Sequence, residues 1–368
     1  MESPFRWCGA HAMPLIAVLA AAVTAVLVPP DRAYLGYYDL KTLSCLFCVL
    51  AVVCAMRHAG LFPVVARRLV RMFRSTRGVV TALVLLTLVG SMLLTNDTAL
   101  LTFLPLSWFV LHAAGQERLV ALTFILQNCA ANLGGMLAPF GNPQNLYLFD
   151  HYAIPTGEFV SIMLPPFLLS TALILLGCLL VRAEPLTVPD RRTPLDGRHA
   201  AAYAVLFALA VAMVLRAVPY PVGLAAIVAA LLVLDRRALR EVDWGLLVTF
   251  AAFFTFSGNM ARIEPVCALF SRLLTHGTML VAALTSQIIS NVPAAILLSQ
   301  FTADYRGLLV GVNIGGAGTL VASLASLITF RAYTEHVHGQ TGRFLALFSA
   351  VSFGFLAVLL GAMSALSY

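Results

Sequence analysis

Apolar runs of membrane length, separated by short polar stretches, recur from one end of this chain to the other. Continuous or once-broken runs cover 12–29, 40–57, 119–149, 158–182, 200–217, 219–235, 244–257, 307–332 and 343–366. A helix needs about 20 apolar residues to cross the hydrocarbon layer, so these read as spans. Two further stretches differ. Residues 79–94 with 98–113, and 277–289 with 293–303, are apolar pairs split at an asparagine, each half too short to cross comfortably. The pattern predicts re-entrant helical hairpins at 79–113 and 277–303, each entering and leaving on one side. Non-helical backbone at that depth survives only where protein or a cavity surrounds it. The chain therefore reads as an all-α polytopic membrane protein.

The asparagine breaks repeat. Ser91-Met-Leu-Leu-Thr-Asn96-Asp97-Thr98 lines up with Ser286-Gln-Ile-Ile-Ser-Asn291-Val-Pro293 in the second half. Further on, Asn132-Leu-Gly134-Gly135 lines up with Asn313-Ile-Gly315-Gly316, and Asn145-Leu146 with Ser326-Leu327. Polar anchors in the same order in both halves make chance similarity the weaker reading. Duplicated, broken segments mark secondary transporters whose site lies between two repeats near the membrane midplane. The first repeat is read as 1–182, with spans 12–29 and 40–57, hairpin 79–113, broken helix 119–149 and span 158–182. Residues 183–218 supply a linker and a connecting span. The second repeat, 219–368, carries hairpin 277–303 and broken helix 307–332. The connecting span turns the second repeat over, so the two are inverted.

Composition agrees. The chain is 61% hydrophobic and only 11% charged, whereas soluble domains carry about 25% charged residues. A net charge of +7 would suggest acidic partners in a soluble protein, but here the positives sit in loops and set topology. Crossing at each span from an inside N-terminus places loops 58–78, 113–118, 183–199, 236–243 and 333–342 in the cytoplasm. Of 23 Lys and Arg, only Arg32, Lys41, Arg216, Arg262, Arg272 and Arg306 then fall outside. The basic run Arg57, Arg67, Arg68, Arg71, Arg74 and Arg77 reads as a surface helix against anionic lipid. An apolar run after Arg6 could imitate a secretory signal, but the repeat needs it as a first span. Seven scattered cysteines argue against a disulfide framework; Cys45-Leu-Phe-Cys48 reads as two small helix- or lipid-facing residues.

Candidate chemistry sits at the breaks. Thr95-Asn96 and Ser290-Asn291 suit helix ends, because their side chains replace lost backbone hydrogen bonds. The helices beginning there would offer N–H groups with partial positive charge to an anion. Gly134-Gly135, Gly141-Asn142-Pro143 and Asn145 cannot hold a continuous helix, and Gly315-Gly316, Thr319, Ser323 and Ser326 soften the matching stretch. Substrate binding is expected at Thr95, Asn96, Thr98, Asn142, Asn145, Ser290, Asn291, Thr319 and Ser323. Cation coupling is expected at Asp97, Asn132, Gly134, Gly135, Asn313, Gly315 and Gly316, where freed carbonyls could hold a small ion. No arginine lies inside these motifs, so dipoles and neutral groups carry the binding. Asp97 is the one acidic residue deep in an intramembrane segment, and its burial is costly. It reads either as an N-terminal helix cap or as a proton- or cation-coupling group. Its counterpart Val292 cannot titrate. His112, His151, His276, His336 and His338 lack a ligand partner at helical spacing, so no metal site is expected. No nucleophile elbow, zinc-protease helix or phosphate loop is present, which removes the usual hydrolytic and ATP-coupled classes.

Thr95-Asn96-Asp97 followed by Ala99-Leu-Leu-Thr-Phe-Leu-Pro105, and Ala131-Asn-Leu-Gly-Gly135 through Pro139-Phe-Gly-Asn-Pro-Gln-Asn145, resemble the ion transporter superfamily. That group includes citrate-transporter-like permeases, divalent anion:sodium symporters, arsenite pumps and some sodium/proton antiporters. Ser290-Asn291-Val-Pro293 and Gly315-Gly-Ala-Gly-Thr319 resemble its C-terminal motifs, and the likeness runs over essentially the whole chain. It implies a scaffold domain making homodimer contacts and a mobile domain carrying both hairpins in an elevator motion. In the sodium–dicarboxylate members the tips read Ser-Asn-Thr. Here Thr95, Asn96, Ser290 and Asn291 match or nearly match, while Asp97 and Val292 stand in place of those threonines, the positions that bear on dicarboxylate contact and sodium coupling.

The sequence thus points to a secondary active transporter of the cytoplasmic (inner) membrane, with a cytoplasmic N-terminus. Its expected cargo is a small anion, a carboxylate such as citrate or a dicarboxylate, or an inorganic oxyanion. Coupling is to protons or sodium, with no organic cofactor and sodium as the one candidate bound ion. The rival within the class is arsenite/antimonite efflux or sodium/proton antiport. A passive channel would need an open polar pore, and a membrane enzyme a nucleophile–base or metal constellation. Neither shows in the sequence.

Overall fold

The computed structural model describes residues 12–60, 64, 72–185 and 197–366, and every named element in it is helical. The first half comprises α1 (Ala12–Leu27), α2 (Leu40–His58), α3 (Thr76–Leu93), α4 (Asn96–Ala113), α5 (Val120–Gly134), α6 (Pro143–His151) and α7 (Thr156–Leu179). After α8 (Gly197–Val214) follow α9 (Tyr220–Leu234), α10 (Arg236–Arg240), α11 (Trp244–Met260) and α12 (Glu264–Leu274). The chain closes with α13 (Thr278–Ile289), α14 (Asn291–Leu298), α15 (Tyr305–Gly315), α16 (Leu324–His336) and α17 (Thr341–Ala365). Of the basic run, Arg67, Arg68 and Arg71 lie outside the described residues, as do Arg6, Cys8 and most of the linker.

Aspartates start several of the membrane helices. Asp39 accepts from Thr42 N, Asp243 from Leu246 N and Asp304 from Gly307 N. Each fills an otherwise orphaned donor at the positive end of a helix. The first apolar run packs on α11: Thr24 Oγ1 receives a bond from Asn259 Nδ2 (3.2 Å), while Ile16, Leu19 and Val26 face outward. Cys45 and Cys48 are buried on α2, against helices and not lipid.

Ion pairs sort the loops into two ends. Lys41 and Arg216 pair with Asp150, Arg262 with Asp31, and Arg306 with Glu158. At the other end His58 meets Asp235 and Glu241, and Arg118 meets Glu184. α2 carries Lys41 at its start and His58 at its close, so its 19 residues hold the two ends about 28 Å apart. None of these pairs joins a loop expected inside to one expected outside.

The same contacts orient the hairpins. Thr76 at the start of α3 bonds Arg182 O, and Trp108 near the end of α4 lies 4.7 Å from the His336 ring. Both therefore open at the Arg118–Glu184 end. In the second hairpin, Tyr152 bonds Thr302 O (2.7 Å) just beyond α14, beside the Arg306–Glu158 pair. α13 spans 12 residues and α14 only 8, about 18 and 12 Å of helix, so neither crosses. In the first hairpin the expected short halves are not found, since α3 and α4 run 18 residues each and α3 is long and apolar enough to cross. The hairpins enter from opposite ends, which is the geometry of an inverted duplication. Both expected broken helices are also present: α5 unwinds after a short 3-10 turn and resumes as α6, and α15 resumes as α16. α12 turns 95° away from α11.

Contacts divide the helices into two bodies. α1, α2, α8, α9 and α11 pack on one another, while α3–α5 pack with α7 and α16, and α13 with α15 and α14. The bodies meet mainly where α11 touches α14 and α2 touches α6.

Candidate functional site

Each hairpin tip is a reverse turn closed by its own asparagine. Asn96 Oδ1 accepts from Asp97 N (3.0 Å), and Asn291 Oδ1 accepts from Val292 N (2.9 Å). The sequence reading expected bare N–H groups at these tips. Instead each asparagine carbonyl fills a leading N–H, and Asn291 N is itself bonded to Ala322 O (2.9 Å). What the tips present is side-chain amide and hydroxyl more than main chain. The tips differ in backbone: Thr95 is extended, whereas Ser290 sits at φ 76°, ψ 154°.

Behind the tips lies a lattice of amides joining the two repeats. Asn96 Nδ2 donates to Asn132 Oδ1 (3.1 Å), and Asn132 Nδ2 to Asn128 O (3.2 Å). Asn128 Nδ2 then reaches Ser326 Oγ in the other repeat (3.3 Å), and Thr329 Oγ1 donates to Asn128 Oδ1 (3.3 Å). In the opposite sense, Asn313 Nδ2 donates to Asn145 Oδ1 (2.6 Å), while Asn142 Nδ2 and Gln144 Nε2 both donate to Asn313 Oδ1 (3.3 and 3.2 Å). Asn145 spends its own amide on the carbonyls of Gly135, Met136 and Ala138, which are freed where α5 unwinds. Buried polar groups must find such partners or cost free energy.

Both tips face one cavity of about 560 Å³, lined by Asn96 and Asp97 from the first hairpin and by Ser290, Asn291 and Val292 from the second. Asp243, Trp244 and Arg331 complete its wall. Thr95, Asp97 and Thr98 line a neighbouring cavity of about 250 Å³ on the other flank of α4. Asp97 alone of the tip residues borders both, and its Oδ1 is buried without a hydrogen-bond partner. Asn142, Asn145, Thr319 and Ser323 lie behind the cavity wall rather than on it. Thr319 is held by Gln287 through N–H to Oε1 and hydroxyl to carbonyl, both 2.9 Å, and Ser323 caps α16 through Ser326 N (3.2 Å). Asn142 Oδ1 and Gln144 Oε1 are buried acceptors without a donor.

The paired glycines are contact points. A Cβ on Gly134 would fall 2.6 Å from Leu88 O and Ser91 Oγ, and one on Gly315 2.8 Å from Ser286 Cβ. So the same two positions, Gly134 against Ser91 and Gly315 against Ser286, dock each hairpin on its broken helix. Gly135 and Gly316 crowd Asn142 and Asn291 in the same way. Gly134→Ala and Gly315→Ala are each expected to cost about 1–3 kcal/mol through overpacking, read as a lower unfolding temperature in detergent. A variant as stable as the parent would contradict the close approach.

Sequence reasoning missed Gln144, Asn128, Gln287, Asp243 and Arg331. Asn128 and Gln287 were detectable as polar residues inside apolar helices. Asp243 ends the expected loop 236–243 and Arg331 just precedes the expected loop 333–342, and they reach the cavity because α11 and α16 converge on the tips.

Comparison with known proteins gives a consistent result. The family model described as citrate transporter matches residues 7–306. A protein of Methanocaldococcus jannaschii described as an uncharacterised transporter is 31% identical over 312 residues, covering 83% of this chain and 84% of that one. The inner membrane protein YbiR of Escherichia coli K12 is 31% identical over 304 residues, or 80% of each chain. The silicon efflux transporter of Oryza sativa subsp. japonica is 32% identical over 166 residues, 45% of this chain and 33% of that protein.

Proposed function

Because this chain belongs to the citrate transporter family and is a multi-pass membrane transporter, we propose that it moves a small anion across the cytoplasmic membrane by secondary active transport. The observation that carries this reading is the single cavity shared by tips from oppositely entering hairpins. A solute there meets Asn96, Ser290 and Asn291, with Arg331 in the same wall. The neutral donors and the guanidinium suit a carboxylate or an inorganic oxyanion that enters with a proton or cation to offset Asp97 and Asp243 in the same wall. The arginine distribution supports a cytoplasmic N-terminus, and the YbiR likeness supports the inner membrane.

Coupling belongs to Asp97 and to the breaks. A buried carboxylate oxygen with no donor calls for a proton or a cation. The orphan acceptors Asn142 Oδ1 and Gln144 Oε1, beside the unwound end of α5, suit a hard cation such as sodium. The division into two helix bodies supports an elevator motion, with α3–α7 and α13–α17 sliding on a static α1–α2–α8–α9–α11 body that would also form the homodimer. The cavity reaches Asp243 and Arg331, at the arginine-rich end, so this conformation faces the cytoplasm.

A second reading is efflux of a metalloid oxyacid, favoured by the likeness to the rice silicon efflux transporter. Proteoliposomes separate the two. Labelled citrate, succinate and sulfate, offered with and without sodium at two pH values, should show saturable, gradient-driven accumulation of one of them. If none accumulates and cells expressing the protein gain arsenite or antimonite tolerance, the efflux reading replaces the first.

A further inference from the structure

Where α2 meets α10, four side chains that the transport reading does not use converge. Cys54 and His58 stand one turn apart on α2, with Sγ 3.8 Å from Nε2. Glu241, in the connection between α10 and α11, brings Oε2 to 2.9 Å from the same Nε2. The three donor atoms all lie within 4.8 Å of one another. On the far side of the ring, His58 Nδ1 is 2.7 Å from Asp235 Oδ2.

We propose that Cys54, His58 and Glu241 form a three-ligand site for a thiophilic divalent cation, with Zn²⁺ the best chemical match. Around tetrahedral zinc, bonds of about 2.0–2.3 Å place neighbouring sulfur, nitrogen and oxygen donors roughly 3.3–3.7 Å apart. The Nε2 distances of 3.8 and 2.9 Å bracket that range, and the remaining sulfur–oxygen pair, within 4.8 Å, closes by a side-chain movement of up to about 1 Å. Asp235 completes the pattern, because a carboxylate on Nδ1–H fixes the tautomer that leaves Nε2 a lone pair. That lone pair then faces a carboxylate and a thiol, an arrangement a cation between them relieves. A charged imidazolium would satisfy the two carboxylates but has no use for the sulfur. Arg237 Nε holds Glu241 Oε1 (2.5 Å), leaving Oε2 to aim at the ion. Cys54 and Glu241 also line the cavity of about 250 Å³ beside α4. It gives an entry path and room for a water in the fourth position, as in zinc sites that stay open. The ion would tie α2 to the α10–α11 connection, both on the proposed static body. The sequence reading passed over this site because it weighed other histidines and not the Cys54–His58 pair.

The test uses the full-length protein in detergent, stripped with a chelator and titrated with Co²⁺ as a spectroscopic stand-in for Zn²⁺. One equivalent should produce a thiolate-to-cobalt charge-transfer band that Zn²⁺ displaces. Cys54→Ser should abolish the band and Cys267→Ser should keep it. Asp235→Asn should weaken metal affinity by about 10–100-fold. Zn²⁺ should raise the unfolding temperature of the parent but not of Glu241→Gln, a change in a surface connection that carries the test if Cys54→Ser fails to fold. A band that survives Cys54→Ser, or no band with the parent, overturns the proposal.

Discussion

Replacing Asp97 by asparagine is expected to yield a folded protein that no longer accumulates its solute. Asp97 lies in the first turn of α4, whose end is capped by Thr95, so folding should survive the loss of its charge. What is lost is a carboxylate bordering two cavities with an oxygen that has no partner. If one proton accompanies each solute, a gradient of one pH unit supports an accumulation ratio of about ten, and the variant should fall to about one. Counterflow exchange, which needs no driving ion, should persist and shows that the binding site is intact. Accumulation at the parental level would remove Asp97 from the coupling step; the sequence's other reading of it, a helix cap, already belongs to Thr95.

The largest loss of stability is expected from Asn313→Ala. Its side chain donates to Asn145 Oδ1 and accepts from Asn142 and Gln144. Alanine leaves Asn145 Oδ1 and Gln144 Nε2 buried without partners and removes one of two acceptors from Asn142. Each orphaned group costs about 1–3 kcal/mol, and intramembrane bonds sit toward the low end of that range. A total of about 2–4 kcal/mol follows, measurable as a fall in unfolding temperature in detergent, with transport lost because the break at α5–α6 loses its clamp. An Asn313→Ala protein as stable as the parent would mean the lattice is not what joins the repeats.

Span positions and both breaks were legible because they are one-dimensional signals: run length, a Gly or Pro that stops a helix, and an asparagine at a fixed offset. Thr95 and Ser290 were readable as tips for the same reason. The roles inside the site were less so. Asn145 and Thr319 look like binding residues in sequence, yet their hydrogen bonds are consumed by unwound carbonyls and by Gln287. Asn128 stands out as a polar residue in an apolar helix, but its partners Ser326 and Thr329 lie in the other repeat, and Asp243 and Arg331 join the cavity from helices far away in the chain. No local pattern encodes such meetings. The dipole expectation at the tips also changed, since a short amide side chain can fold back on its own next N–H.

The backbone at Ser290 has a further consequence. At φ 76° and ψ 154° it occupies a region that only glycine enters freely, at a cost of about 1–3 kcal/mol. Thr95, its twin, rests in an unstressed geometry. The duplication therefore built two latches of the same shape and wound only one of them. A machine with one cocked spring and one slack one has a built-in order of release, however symmetric its outline.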